Sequence, residues 1–383
     1  MTMIVAAVPL AALWSTAAML KTPASTAAIL KAPAPGSRAQ RSRPPMLGVP
    51  GLITWLEATA PQAVVEVPTG GRERAPERSA DVVAFDLNSM LHNALRNSRT
   101  EDQAIVRVFS MLHATLRSIR VRSTVVLALD GAAPLAKIET QRKRRVQSSR
   151  RAKRSRGVSG LCATPGTKFM ARLESALTYW CCSELGTRRA RHLAFELSGS
   201  DVPGEGEVKI IDWVLTRSAS SDVHDVIFVG ADGDLVLQAL TISGINAFVL
   251  RESATPKAAG VGVCVSTFRS SLARARGIRE PTTIDDLEAL ACFTFMGNDY
   301  LPKVREASFE RLWRSLCALR RHRELLGERL LREDRTFNPR MLSALMRVLV
   351  RVHRQAAAAI AADIEAGVAP STARAAHQPL PEP

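Results

Sequence analysis

Seven acidic residues stand where a chain can gather carboxylates: Asp86, Asp130, Glu205, Glu207, Asp232, Asp234 and Asp299. The most telling pair lies in VPGEGEVKIID, Val202 to Asp212, where Pro203, Gly204 and Gly206 bracket Glu205 and Glu207 just before an apolar-periodic helix. Residues two apart on a helix point away from each other, so both glutamates face one point only if the glycines hold them in a turn at the helix mouth. One glutamate there is explained as a partner of the helix dipole. Two in a Gly-Pro turn read as a cation site. Carboxylates converging in a cleft of low dielectric repel strongly unless cations sit among them. Hard oxygen donors select Mg²⁺ or Mn²⁺. Two such ions, about 4 Å apart, would activate a water and stabilise the leaving oxygen of a phosphodiester.

A complementary set of donors lies in KIETQRKRR. Lys137, Gln141, Arg144 and Arg145 stand at i, i+4, i+7 and i+8, one face of a helix. Donors clustered on one face can grip a terminal phosphate, with arginine supplying bidentate contacts. The plainer alternative, a localisation signal or general RNA patch, suits the looser run Arg150 to Arg156 better.

The elements that must position these groups alternate between strand and helix. DVVAF (Asp81 to Phe85) reads as a buried strand ending at Asp86, with a helix from Asn88. TVVLAL (Thr124 to Leu129) ends at Asp130, and DVIFVGA (Asp225 to Ala231) at Asp232-Gly233-Asp234; INAFVL (Ile245 to Leu250) is a fourth strand. Helical periodicity covers 101–119, 167–182 and 206–216, and a short helix ends at Leu56. A helix with a Thr283/Asp286 capping box runs to Gly297, just before Asp299. This alternation predicts an α/β fold, a doubly wound, mostly parallel sheet, whose ligands sit beyond the carboxyl ends of the strands. For any one aspartate a turn or N-cap role is the simpler account. Its recurrence after three strands, with the GEGE turn added, favours a shared site.

The chain has 383 residues, 46% of them hydrophobic, and a formal net charge of +16. That is enough to bury a large core. Residues 137–156 carry ten Lys/Arg and one acid, and residues 301–354 fourteen against six. An acidic centre between basic arms suits a polyanionic substrate. The six cysteines form no CxxC pair, which predicts buried, reduced thiols in an intracellular protein and no zinc. No uninterrupted apolar run approaches a membrane span. Residues 1–45 carry five Lys/Arg and no acid and read as a transit peptide, or as sequence upstream of a start at Met46.

In order along the chain, the sequence resembles the XRN-type 5′→3′ exoribonucleases of the wider 5′-nuclease superfamily. The matching motifs are GVPGLITWL, DLNSMLH (Asp86 to His92), LDGAAPLAKIETQRKRR (Leu129 to Arg145), TPGTKFM, DVPGEGEVKIIDW, GADGDLVL and FMGNDYLP. The resemblance implies a 5′-nuclease/PIN-like domain over 46–305 with divalent metal held by the seven acids. It also implies a 5′-monophosphate pocket at Lys137, Gln141, Arg144 and Arg145, and places His92 near the terminal bases. Asp232-Gly-Asp234 departs from the family, which more often has alanine at the middle position. The family's second conserved region is not matched: about 80 residues follow Asp299, read as an Arg-rich helical extension (306–365, with helices over 309–332 and 340–362) and a disordered tail (366–383). A separate protein chain is the expected substitute for that region.

These readings converge on a metal-dependent exoribonuclease that takes RNA by its 5′-monophosphate end, in nucleus or cytoplasm, or in mitochondria if residues 1–45 are a transit peptide. Two rivals stand beside it: a structure-specific endonuclease of the same superfamily, and a shortened, non-catalytic RNA-binding or scaffold protein. Seven intact acids argue against the second rival, since a retired site would tolerate their loss.

Overall fold

The structure, a computed structural model, describes residues 51–67, 78–152, 157–218, 223–251, 260–297 and 301–365. The extension 1–45, the tail 366–383 and Asp299 lie outside the described residues. Among the described residues the strands are β1 (Val64–Val67), β2 (Arg78–Asp86), β3 (Ile119–Ala128), β4 (Ala194–Ser198), β5 (Asp225–Val229), β6 (Asn246–Arg251) and β7 (Gly260–Cys264). They form one sheet in the order β1-β7-β6-β5-β2-β3-β4. From β6 to β4 every pairing is parallel, whereas β7 and β1 run antiparallel at one edge. The predicted α/β, mostly parallel sheet is therefore the observed one.

The helices are α1 (Leu52–Thr59), α2 (Leu87–Arg96), α3 (Glu101–Ser118), α4 (Leu135–Ala152), α5 (Lys168–Leu185), α6 (Gly206–Ser218), α7 (Asp234–Leu240), α8 (Val265–Ala275), α9 (Thr283–Thr294), α10 (Phe309–Arg321) and α11 (Pro339–Glu365). Strands β2 and β5 are buried along most of their length, as continuous apolar runs in a doubly covered parallel sheet must be. Phe85, Leu87, Leu91, Leu112, Leu127 and Leu177 lie in one core cluster of fully or nearly fully buried side chains.

Several expectations are corrected. β2 starts at Arg78 rather than Asp81, and β3 at Ile119 rather than Thr124. β1, β4 and β7 go beyond the expected strands: β1 is four residues long, β4 is a half-exposed edge strand, and the Phe248 ring lies where a side chain at Gly262 of β7 would stand. The capping box of α9 is formed by Thr282 and Asp285, one residue before the expected pair. The helix expected over 309–332 stops at Arg321; a turn and the Leu331–Phe337 bridge follow. Of the cysteines, Cys181, Cys292 and Cys317 are buried, but Cys182 is exposed.

The described residues belong to one compact unit, and no break between units falls at 305/306. An aromatic cluster explains this continuity. Trp55 of α1 stacks on Phe309 at 5.6 Å between centroids and meets Phe268, Phe293 and Trp313 edge-on. Beside it the fully buried Glu288 of α9 accepts from Arg276, Arg320 and the Leu330 backbone N–H. A buried carboxylate is tolerable only when paired and hydrogen-bonded in this way.

Candidate active site

The order β5-β2-β3 sets three strand ends side by side and so brings Asp86, Asp130 and Asp232 to one edge of the sheet. Asp86 is the last residue of β2 and the N-cap of α2, its carboxylate accepting from the Asn88 backbone N–H. The bland N-cap role and the site role thus coexist in one side chain. Asn88, which the sequence reading did not single out, joins two acids. Its Nδ2 donates to Asp86 Oδ1 at 3.0 Å, and its Oδ1 accepts from the Asp130 backbone N–H at 3.2 Å. Its signal was an Asx residue two positions after a strand-ending aspartate.

The loops after β3 and before α6 are tied together. Gly131 N–H donates to Gly204 O at 2.8 Å, and Gly204 N–H to Ala132 O at 3.0 Å. A Cβ on Gly131 would lie 1.9 Å from Val202 O, so only glycine permits this approach. Gly204 has φ of 110°, and the next turn opens α6. At the mouth of that helix Gly206 N–H donates to Asp130 Oδ1 at 2.7 Å. The glycines therefore hold Glu205 just before α6 and Glu207 in its first turn. Lys209 fixes the arrangement from below, donating to Leu129 O at 3.0 Å and Gly199 O at 2.8 Å. Burial lowers its pKa, opposed by Asp130. Arg251 donates to Ala231 O at 3.0 Å and steadies the loop carrying Asp232.

The electrostatics show that the acids share one field. Burial, then Asp130, Asp232 and Glu205, hold the Asp86 carboxyl well above the usual range, with the Asn88 N–H pulling the other way. Glu207 is likewise pushed up, by burial first and then by Asp234, Asp232, Asp86 and Glu205. Glu207 Oε2 is sealed from solvent without a hydrogen-bond partner. Such an orphaned oxygen amid like charges is a feature a hard cation would satisfy. Among the described residues no three of the acids draw close enough to form a ligand cage.

Of the phosphate-grip residues, Lys137 reaches the acids: its Nζ lies 2.5 Å from Glu205 Oε1, and both side chains are nearly buried. Gln141 Oε1 accepts from Arg145 Nη2 at 3.2 Å, and Arg144 lies within α4. His92 keeps solvent contact on α2. The surrounding protein still lowers its pKa, an effect Asp130 offsets in part.

Residues 47–253, more than half of the chain, match the family described as XRN 5'-3' exonuclease N-terminus. Over 313 residues the chain is 26% identical to the 5'-3' exoribonuclease 2 homolog of Caenorhabditis elegans, covering 69% of this chain and 31% of that protein. Over 256 residues it is 30% identical to 5'-3' exoribonuclease 2 of Schizosaccharomyces pombe, covering 54% of this chain and 26% of that protein. The chain thus spans about a third or less of the length of these curated relatives. Among solved structures, human GEN1 with Holliday junction DNA superposes with a TM-score of 0.41 at 15% identity over 71% of this chain and 56% of that one, too distant to carry inference. The sheet topology, the acids beyond its strand ends and the matched segment agree, and the chain belongs to the XRN 5'-3' exonuclease N-terminus family.

Proposed function

We propose that this protein is a divalent-metal-dependent 5′→3′ exoribonuclease that takes RNA by its 5′-monophosphate and releases mononucleotides. The observation that supports this reading is the Lys137–Glu205 contact, because it brings one donor of α4 against one of the acids. A phosphate gripped by Lys137, Gln141, Arg144 and Arg145 would leave the first phosphodiester over the acids. Asp86, Asp130, Glu205, Glu207, Asp232, Asp234 and Asp299 would hold Mg²⁺ or Mn²⁺. When bound, such ions supply Lewis acidity for water activation and neutralise charge on the leaving oxygen. Asn88 and the Gly206 N–H fix the Asp86 and Asp130 carboxylates in place, so that little reorganisation is asked of them. His92 would lie beside the terminal bases.

The test compares matched 5′-monophosphate and 5′-hydroxyl RNAs in Mg²⁺. A charge-assisted hydrogen bond contributes about 1.5–3 kcal/mol, or about 10- to 150-fold. Arg144→Ala should cost that much on the monophosphate RNA and little on the hydroxyl RNA, already a poor substrate. Equal loss on both would make the α4 face an ordinary backbone patch and remove the 5′-end reading.

A further inference from the structure

Strands β2, β3 and β5 lead into acids at Asp86, Asp130 and Asp232, but their neighbour β6 ends in a cation, Arg251. Phe85 of β2 stands beside Val229 of β5, and Val229 beside Leu250 of β6. One step further along, Asp86, Gly230 and Arg251 lie in a line across three strands. The Gly230 N–H donates to Leu250 O at 3.1 Å and keeps that register. Side chains alternate along a strand. Phe85 and Leu250 both enter the core cluster, which contains no residue of α6. Asp86 and Arg251 thus project to the other face. There the mouth of α6 comes so near that a Cβ on Gly206 would stand 2.5 Å from Asp86 Oδ1.

Two strand spacings of roughly 4.8 Å put about 10 Å between the backbones of Asp86 and Arg251. Gly230 sends no side chain into that interval. Leu235 floors it, with Cδ2 3.0 Å from the position a Cβ on Gly230 would take. One bank of the gap is acidic and the other is a guanidinium. Arg251 is held at its own bank, Nε donating to Ala231 O at 3.0 Å, and among the described residues that is the guanidinium's one hydrogen bond. Bracing a carbonyl takes a single N–H. The two Nη groups are left over, and they form the fork that matches phosphate oxygens.

Strand order decides which phosphate would reach that fork. From β3 to β6 the sheet presents Asp130 with α4 just after it, then Asp86, then Asp232, then Arg251. A chain gripped by its 5′ phosphate at Lys137, with its first phosphodiester over the acids, arrives at Arg251 with the next phosphate. We infer that Arg251 is an RNA-binding residue that holds the phosphate on the 3′ side of the cleaved bond, across the gap left by Gly230. The direction of the strand rests on the proposed reading, whereas the contact itself needs no cleavage.

The full chain and its R251Q variant would be titrated in EDTA with 5′-monophosphate RNAs of about ten nucleotides. Each RNA is unmodified or carries one methylphosphonate, which removes the charge of a single linkage, at the first, second or third position. Neutralising the second linkage should weaken wild-type binding about 10- to 150-fold, as loss of a charge-assisted hydrogen bond does. R251Q should lose as much on unmodified RNA and almost nothing more when the second linkage is neutral. At the other two linkages the losses should multiply, as independent changes do. An arginine that only braces the Ala231 carbonyl predicts multiplied losses at all three, and that result overturns the inference. Coupling confined to the first or third linkage overturns it too. R251K, with the charge but without the fork, should recover binding only in part, and full recovery counts against a forked contact. If R251Q does not fold, the wild-type scan decides, since no loss on neutralising the second linkage removes the contact. A coupled second linkage in a protein that releases no nucleotide in Mg²⁺ would leave the contact standing and remove the proposed activity.

Discussion

Lys137 and Glu205, 68 positions apart in sequence, form an ion pair with Nζ and Oε1 2.5 Å apart and both side chains nearly buried. The ammonium thereby places a positive charge against the acids that repel one another at Asp86 and Glu207. Removing one partner of a buried pair leaves the other charge uncompensated, at about 3–5 kcal/mol. Lys137→Met should therefore lower the melting temperature clearly in EDTA. Added Mg²⁺ or Mn²⁺ should recover more stability in the variant than in wild type, since the cation replaces the lost charge. Equal metal-induced shifts in the two proteins would sink this account.

Asp86→Asn tests the repulsion itself. The folded-state pKa of Asp86 is raised, so its ionised form opposes folding above that pKa, and the penalty disappears below the ordinary value of 3.8. The amide still offers an oxygen to the Asn88 N–H and keeps the helix cap. Without metal, the variant should match or exceed wild-type stability at pH 8, by on the order of 1 kcal/mol, with the advantage gone near pH 4. With metal the order should reverse, and cleavage should be lost. Thermal melts over that pH range, with and without EDTA, decide it.

Gly206→Ala addresses the close approach at the mouth of α6. Replacing a helical glycine by alanine normally gains about 0.5–1 kcal/mol. Here the new Cβ would lie 2.5 Å from Asp86 Oδ1 and 3.2 Å from Ala128 O. Overpacking of that kind costs about 1–3 kcal/mol. The variant should be less stable than wild type, and its metal-induced rise in melting temperature should shrink because Asp86 is displaced. A stabilised variant with an unchanged metal response would show that the cluster has room.

At the other end of the sheet, Asp81 predicts the acid behaviour of the fold. It accepts from Arg122 Nε at 2.7 Å and from the backbone N–H groups of His224 and Asp225 at 2.9 Å each. The Arg122 contact leads in lowering its pKa to about 2. A depressed carboxylate adds stability that is whole above its ordinary value of 3.8 and is lost as pH falls through about 2. Solvent screening reduces this to about 1 kcal/mol. Asp81→Asn should lose that amount in urea unfolding at pH 7, and the gap to wild type should close as pH falls toward 2. A gap that stays constant would assign the loss to the amide's geometry and not to the charge.

The acids themselves were legible in the sequence because each follows a local rule. A strand of apolar residues ends in aspartate at Asp86, Asp130 and Asp232, and a Gly-Pro turn opens a helix at Glu205 and Glu207. The periodicity of α4 likewise put Lys137, Gln141, Arg144 and Arg145 on one face, and the α/β alternation gave the parallel sheet. Edge strands β1 and β4 and the Gly-rich inner strand β7 were not legible, because half-exposed or Gly-rich strands are specified by their neighbours and not by their own pattern. The turn through 322–338 was hidden by residues that would also suit a helix. Only the tertiary structure decided that Asn88 bridges Asp86 and Asp130, that Lys209 holds two loop carbonyls, and that Lys137 turns inward to Glu205. The Asn88–Asp130, Lys137–Glu205 and Lys209–Leu129 contacts join segments 42 to 80 residues apart. Their geometry depends on strand order and on glycines whose missing side chains let backbones meet, neither of which any local window of sequence contains.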